Sequence, residues 1–448
     1  MEMKLSLDGL TGKVVTPYSK EYEQARQEWN RAIQKFPIII VYCYAVKDIQ
    51  NAICWARRHG IGIRIRSRGH HYQGYSVGTG VLVIDVSYMK RIELDESNGS
   101  VFVQSGIKNR EIYDYLGARG YPFPGGTCPT VGVAGYTLGG GWGYSSRYMG
   151  LGCDSLTALE MVDYQGNLCK ADDNYNPDLF WACRGAGGGN FGVVTSMTFQ
   201  LPPKVTRVTL VELEYLNAAP ATMACFLDIW QEWLVSLDQR MTINVSMYNS
   251  AEDGMGIYGK GLFYGSAAEA AQILKPFELG GATLSLQEVT FLEAVQKIQD
   301  AYPDSEKFQS TGRFVNRKYS MEEIEAIVEL IRQRADGSVY TAVSVYALGG
   351  KINEIDKKCT AFYYRDAAYI MGVQSVWEED RYASVNRCWL NERFQCLKQL
   401  TVGSYINFPY NCLANYEEEY YGGNACRLQQ IGRQYDPMNV FSFPQAIQ

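Results

Sequence analysis

The sequence predicts an α+β protein built from at least two domains, and three observations carry that reading. At 448 residues the chain exceeds what one hydrophobic core normally organises. Its first 120 or so residues alternate strand-like and helical patterns, which suggests a first α+β lobe. Beyond Pro202-Pro203 the pattern changes to longer strands interrupted by helices, as in an antiparallel sheet covered on one face. The hydrophobic fraction of 46% and charged fraction of 20% are those of a globular protein.

Taken in order, residues 20–36 have helical periodicity, with Tyr22, Ala25, Trp29 and Ile33 on one face. Residues 36–44 read as β, 46–59 as a helix ended by Gly60, and 61–65 and 81–86 as short strands. A strand at 101–104 and a helix at 108–119 follow. Residues 156–163, the turn Gln165-Gly166-Asn167 and a second short strand make a hairpin, and 176–183 a short helix. Strands are expected at 208–216, 242–249, 256–264, 339–348 and 360–376, and helices at 222–237 and from Ser320 to about residue 334. Ser320-Met321-Glu322-Glu323 spells a capping box. The chain from about 401 returns to the first lobe.

Chemistry concentrates in one turn, Arg66-Ser67-Arg68-Gly69-His70-His71-Tyr72-Gln73-Gly74-Tyr75-Ser76. A glycine turn between two strands aims successive backbone N–H groups at an anion such as a diphosphate. The chain has three histidines. His59 stands at a helix C-terminus, where a cation suits the dipole, and the other two, His70 and His71, share this turn. A second stretch runs from Gly125-Gly126-Thr127-Cys128-Pro129-Thr130-Val131-Gly132 to Gly139-Gly140-Gly141-Trp142-Gly143. It is too glycine-rich for a helix or regular strand and reads as backbone that must approach a flat ligand.

Several function classes are disfavoured. Each histidine has a better explanation than a Ser-His-Asp triad. The twelve cysteines include no Cys-x-x-Cys pair, and no His/Cys/carboxylate cluster has metal-ligand spacing. Gly187-x-Gly189-x-x-Gly192 spells a dinucleotide fingerprint, but a β-branched run at 193–199 stands where its helix belongs, so NAD is discounted. A net charge of −6 argues against a nucleic-acid surface. The longest strongly apolar run, 36–46, is too short to cross a bilayer, and the N-terminus has no signal-peptide core, so a cytoplasmic location is the default expectation.

Taken together, Arg-Ser-x-Gly-His-x-Tyr-x-Gly, Cys-Pro-Thr-Val-Gly-Val-x-Gly, the Gly-Gly-Gly-aromatic-Gly tail, Asp178-Leu179-Phe180-Trp181, Tyr420-Tyr421-Gly422 and Tyr435-Asp436-Pro437-x-Asn439-Val440-Phe441-x-Phe443-Pro444-Gln445 resemble the berberine bridge enzyme-like FAD-linked oxidases. These lie within the vanillyl-alcohol oxidase group. The resemblance implies a two-lobed PCMH-type FAD-binding domain over 1–203, a substrate domain of antiparallel sheet covered by helices over 204–400, and a closing segment over 401–448. It implies FAD contacts from Arg66, Ser67, Arg68, Gly69, His70, His71, Tyr72, Ser76, Cys128, Val133, Gly135, Gly139, Gly140, Trp142, Val194, Asn407 and Phe408. It also implies two covalent links, from His70 to the flavin 8α carbon and from Cys128 to C6. A neutral imidazole and a thiolate suit that role, being nucleophiles toward an electron-poor ring. Arg68 replaces the family's first glycine in Gly-Gly-His, where an arginine is a substitute anion partner.

The expected reaction is oxidation of an alcohol, sugar or secondary metabolite, with hydride passing to flavin N5 and O2 reduced to H2O2. Val131, three after the linking cysteine, matches the family's oxygen gate in its oxidase form. The acid–base position departs from the pattern. Phe408 and Trp142 stand where the family has tyrosines, and its acidic residue falls near Ile370 or Met371. Tyr405, Tyr144 and Tyr410 remain as bases, with Arg365 as a source of positive charge. Two other readings stay open: a spore-coat or structural flavoprotein, and a dehydrogenase using another electron acceptor.

Overall fold

Three sheets organise the chain, whose computed structural model describes residues 6–448. The first contains β1 (Lys13–Val15), β2 (Ile39–Tyr42), β3 (Ile63–Arg66) and β4 (Leu82–Asp85) in the order β1-β2-β4-β3. β4 runs parallel to both β2 and β3. Such strands are covered on both faces, and Ile39, Ile40 and Val41 are accordingly all buried. The helix Val46–His59 joins β2 to β3 and buries Ile49, Ala52, Ile53 and Ala56. Asp48 caps its start, accepting from the N–H groups of Tyr44 and Ala45 at 2.9 and 3.1 Å. Gly60 ends it in the left-handed region at φ 63°.

The helix expected over 20–36 is cut to Tyr22–Ala25. Tertiary bonds win there. Trp29 N–H donates to Gly69 O at 2.9 Å, and Asn30 Nδ2 donates to Tyr72 O and Phe308 O at 3.1 and 3.0 Å. These hold the chain extended, so Asn30 forms a β-bridge to Glu306.

The second sheet is antiparallel, with β5 (Ile92–Asp95), β6 (Ser100–Gln104), β7 (Leu156–Val162), β8 (Leu168–Asp172) and β9 (Val193–Gln200) in the order β5-β6-β9-β7-β8. The triple-glycine loop leads straight into β9, as the discounting of NAD required. Between β6 and β7 the glycine-rich stretch does form one helix, Val133–Leu138, against the expectation of none. Gly135 is the only glycine inside it, and Val133 and Leu138 anchor it in the core.

The third sheet holds β10 (Val208–Tyr215), β11 (Met241–Ser250), β12 (Gly254–Phe263), β13 (Ala282–Val289), β14 (Lys307–Ser310), β15 (Arg313–Val315), β16 (Ser338–Ala347), β17 (Tyr369–Trp377) and β18 (Val402–Ser404). Its order is β13-β10-β12-β11-β16-β17-β15-β18, with β14 also on β17, all antiparallel. β18 lies beyond residue 400, so the sheet runs slightly past its expected end. The strand expected over 360–376 begins only at Tyr369, because Ala361 and Phe362 bond back to Trp181 and Arg184. The capped helix is Met321–Glu329, with Ser320 Oγ accepting from Glu323 N–H at 3.3 Å.

Strand alternation splits this sheet into two faces. Ile243, Val245, Met247, Val343, Val345 and Val373 lie buried in one core with side chains of the helices Pro220–Val235, Met321–Glu329 and Ala383–Leu400. The other face carries Glu212, Asn244, Ser246, Lys260, Ser344, Tyr346 and Gln374, aligned by register across β10, β12, β11, β16 and β17. The tail then returns. Phe441 is buried with Val41, Ile63 and Ile84 in the core of the first lobe.

Candidate active site

The turn after β3 is fixed by its side chains. Arg66, fully buried, pairs with Asp85 at 2.5 Å and lies 3.6 Å from Glu28. Ser67 Oγ donates to Ser105 O at 2.6 Å, and Arg68 Nε donates to Gly106 O at 2.7 Å. Ser76 Oγ donates to Glu28 at 2.7 Å. These four side chains, expected to reach the cofactor, are engaged by protein. Gly69 adopts φ 69°, and a Cβ there would meet Glu28 Oε2 at 2.9 Å, so no other residue fits the bend. What the turn leaves free is backbone. Among the described residues, no acceptor is found for the N–H groups of Ser67, Arg68, Gly69, His70 and His71.

His70 and Cys128, 58 positions apart in sequence, meet at Thr130. Its hydroxyl lies 2.8 Å from His70 Nε2 and 3.6 Å from Cys128 Sγ. Trp29 stacks on His70, with ring centroids 5.3 Å apart and planes at 25°. Burial, with Lys108 adding to it, pushes the His70 pKa down to about 3, so the imidazole is neutral. His71 is held down at about 3 by burial and Lys35. Burial raises the Cys128 thiol, while backbone N–H groups of Thr130 and Val131 and the Thr130 hydroxyl oppose it. Val131 sits half-buried beside this group, its carbonyl accepting from Asn109 N–H at 2.9 Å.

The glycines beyond it serve mostly to pack protein on protein, not a flat ligand as expected. A Cβ on Gly139 would strike Asn407, one on Gly140 Phe362, one on Gly141 Tyr136, and one on Gly143 Gly125 O. Gly135, exposed on the helix, has open space where a Cβ would stand, with Gly188 nearby. Val133 and Val194 are buried behind it. Asn407 Nδ2 donates to Tyr136 O at 2.9 Å and to the Tyr405 hydroxyl at 3.1 Å. The N–H groups of Gly141 and Trp142 also donate to that hydroxyl, each at 3.0 Å. Three donors thus converge on one phenolic oxygen. Burial still pushes its pKa up to about 12, against their pull.

A line of aromatic contacts runs from this point to the polar face of the third sheet. Tyr72 stacks on Phe408 at 5.4 Å, Phe408 lies 5.3 Å from Tyr346, and Trp142 lies 5.0 Å from Tyr346 and 5.6 Å from Tyr144. Phe308 meets Tyr72 at 4.9 Å and Trp29 at 5.8 Å. On the sheet, Lys260 pairs with Glu212 at 3.0 Å and Ser246 bonds Ser344 at 2.7 Å. Tyr144 donates to Asn244, so it joins this polar face with its proton engaged. Tyr410 is elsewhere: it donates to Asn391 on the helix Ala383–Leu400 at 2.9 Å and packs on Phe394, which removes it as a base. Arg365 is buried in a two-pronged pair with Asp154 at 2.6 and 2.8 Å, so its charge is neutralised away from Tyr405. Ile370 shares the polar face in register with Tyr346, while Met371 faces the core.

Sequence reasoning missed Thr130, Trp29, Phe308, Tyr346, Asn244 and Lys260. Polar residues at every second position of β11, and of β16 apart from Ala342, were the available signal for the sheet residues. Trp29 had none, since its contacts are set by chain segments far away in sequence.

The comparisons agree with this geometry. A family model described as FAD binding domain matches residues 37–172, and one described as Berberine and berberine like matches 404–448. The chain is 33% identical to the uncharacterized FAD-linked oxidoreductase YgaK of Bacillus subtilis over 98% of this chain and 97% of that one. Its structure resembles Physcomitrella patens BBE-like 1 with a TM-score of 0.90 at 26% identity, covering 97% of this chain and 96% of that one. It resembles the xylooligosaccharide oxidase of Myceliophthora thermophila C1, solved with xylobiose, with a TM-score of 0.88 at 26% identity over 98% and 97% of the two chains. With the free amides of the turn, His70 and Cys128 at one hydroxyl, and end-to-end likeness to such proteins, the chain belongs to the berberine bridge enzyme-like family of FAD-linked oxidoreductases and binds FAD.

Proposed function

We propose that this oxidoreductase oxidises a hydroxyl-bearing small molecule of the sugar or aromatic-alcohol type, passes the electrons to O2 to give H2O2, and carries FAD linked through His70 and Cys128. The observation that carries it is the aromatic line on the polar face. A line of aromatic rings from Tyr72 to Tyr144 passes through Tyr346 on the polar face of the third sheet, which also carries Asn244, Ser246, Ser344, Lys260 and Glu212. Flat faces beside a row of donors and acceptors suit a ring bearing hydroxyl groups. A relative of 29% identity is named a xylooligosaccharide oxidase, and another, of 27%, an aclacinomycin oxidase.

The residues present fit the cofactor. Five unpaired backbone N–H groups suit a diphosphate, Gly135 leaves room for a ring, and the two nucleophiles lie at one point. FAD held there would supply the two-electron acceptor for hydride removal from the substrate. Tyr405 is the candidate base in its phenolate form: Gly141, Trp142 and Asn407 donate to its oxygen and favour that form, against burial, which holds its pKa at about 12, so proton removal should strengthen as pH rises. Phe408 packs edge-on against the Tyr405 ring, with centroids 5.0 Å apart. Val131 is the position of the oxygen gate.

The test is anaerobic mixing of the yellow protein with oligosaccharides and aromatic alcohols, followed by air. At least one compound should bleach the flavin, and air should restore it with release of H2O2. Failure of the whole panel to bleach it would overturn the substrate class. Bleaching without H2O2 on aeration would overturn O2 as acceptor.

A further inference from the structure

Thr130 is the side chain that joins the two attachment residues. Its oxygen is 2.8 Å from His70 Nε2 and 3.6 Å from Cys128 Sγ, and the Trp29 face fixes the plane of the imidazole. A neutral imidazole has one N–H and one bare nitrogen, and the partner of one nitrogen decides which is which. Among the described residues, the other nitrogen, Nδ1, has no hydrogen-bond partner.

We propose that Thr130 is a positioning residue for flavin attachment: its oxygen accepts from His70 Nε2–H, leaving the Nδ1 lone pair bare and aimed, and its own proton points to the Cys128 sulfur. This rests on the reading that His70 and Cys128 both carry the flavin. One hydroxyl then serves both links, since a hydroxyl accepts and donates at once. Burial keeps the ring neutral and disfavours the thiolate, so the sulfur gains most from a donor at hand.

The chemistry balances without a reductant. For His70, a C–H bond of the flavin 8-methyl group breaks and a C–N bond to Nδ1 forms. The proton His70 sheds sits on Nε2, against Thr130. For Cys128, the C6–H bond breaks and a C–S bond forms as the thiol proton leaves. In each case the electron pair of the broken C–H bond stays in the ring, which emerges reduced. O2 then takes the pair with two protons as H2O2.

The experiment uses the full-length protein and its Thr130→Val and Thr130→Ser variants. Each is denatured in acid and digested, and the flavin mass on the His70 and Cys128 peptides is measured. Wild type and Thr130→Ser should carry flavin on both peptides. Thr130→Val, of nearly the same shape, should lose at least tenfold of the His70 link while keeping its melting temperature and bound flavin. Loss of both links supports the proposal, and loss of the His70 link beside a full Cys128 link overturns the part assigned to the sulfur. A fully linked His70 peptide in Thr130→Val overturns it. If Thr130→Val does not fold, Thr130→Ala carries the same comparison. Wild-type peptides without flavin would instead overturn the reading of two links, a separate outcome.

Discussion

Glu306 is a half-buried carboxylate for which, among the described residues, no cation or hydrogen-bond donor is found. It precedes Phe308 by two positions and bridges to Asn30, and Tyr340 feels its charge. Burial pushes its pKa up from 4.5 to about 7. Between those values the folded chain holds a proton that the unfolded chain has released, so stability falls as pH rises through that window. Glu306→Gln never ionises. It should therefore match wild type near pH 4 and exceed it at pH 8 by about 1–2 kcal/mol, allowing for water at a half-exposed group. Urea midpoints at the two pH values check this, and equal midpoints at pH 8 would refute it. His71, whose pKa is lowered to about 3, has the opposite sign: its contribution is complete above about 6.5 and is lost as pH falls toward 3. At this scale the sequence was only partly legible. Chemistry alone singled out the turn with His70 and His71 and the lone cysteine of the glycine-rich stretch; the flavin and the choice of His70 and Cys128 came from the resemblance. Arg66 and Arg68 could not be told from anion ligands, because a buried Asp85 and the Gly106 carbonyl that claim them come from distant segments.

At the scale of elements, periodicity worked wherever an element makes its own contacts. The helix Val46–His59 and the hairpin of β7 and β8 closed near their expected ends, since caps, turn residues and an apolar face all agree locally. It failed at 20–36, where helical periodicity is genuine but Asn30 and Trp29 are held by Tyr72, Phe308 and Gly69. One short element matters more than its length suggests. The helix Ser146–Met149 carries Arg147, buried at 3% exposure, whose guanidinium donates to Met241 O at 2.8 Å, Leu237 O at 2.7 Å and Leu348 O. Its partners are carbonyls, and burial pushes its pKa down to about 10, so it remains charged. It fastens the end of the glycine-rich stretch to the start of β11 and the end of β16, the two strands that carry Asn244 and Tyr346 on the polar face. Arg147→Ala leaves those carbonyls unpaired at roughly 1–3 kcal/mol each before water enters, and should cost about 3 kcal/mol in all. Arg147→Lys should recover less than half, lacking the planar fork. Thermal melts of the flavin-loaded variants measure this, and a wild-type melting temperature in Arg147→Ala would show that the sheet docks without it.

For the whole molecule, the order of the chain and the order of its parts in space differ, and this decides what folds alone. The first 203 residues contain both flavin-domain sheets, yet their cores are completed from the far end. Phe441 lies 3% exposed among Val41, Ile63, Leu82 and Ile84. Arg64 donates to Ser442 O, Tyr75 meets Phe443 at 6.1 Å, and Ile447 N–H donates to Asn190 at 3.1 Å. Tyr421 OH donates to Ala186 O at 2.9 Å, closing the triple-glycine loop from outside. Asn407 fills the space above Gly139, and Tyr405 takes the amides of Gly141 and Trp142. Removing the third sheet and tail thus strips the glycine-rich loops of their partners. Burial of a phenylalanine is worth about 1.5–3 kcal/mol, a large share of a marginal net stability. A chain ending at residue 203 should accordingly be insoluble or molten and free of flavin. Deletion of 435–448 alone should lower the melting temperature and the flavin content, even though that segment lies outside the substrate-facing sheet. The first lobe should open first, so amide exchange should rise at Val41, Ile63 and Ile84 before it rises in β11 or β16. Soluble, yellow protein from the 203-residue chain, or unchanged exchange in β2, β3 and β4 of the tail deletion, would mean that the flavin domain is self-sufficient and that the C-terminal return is an accessory contact.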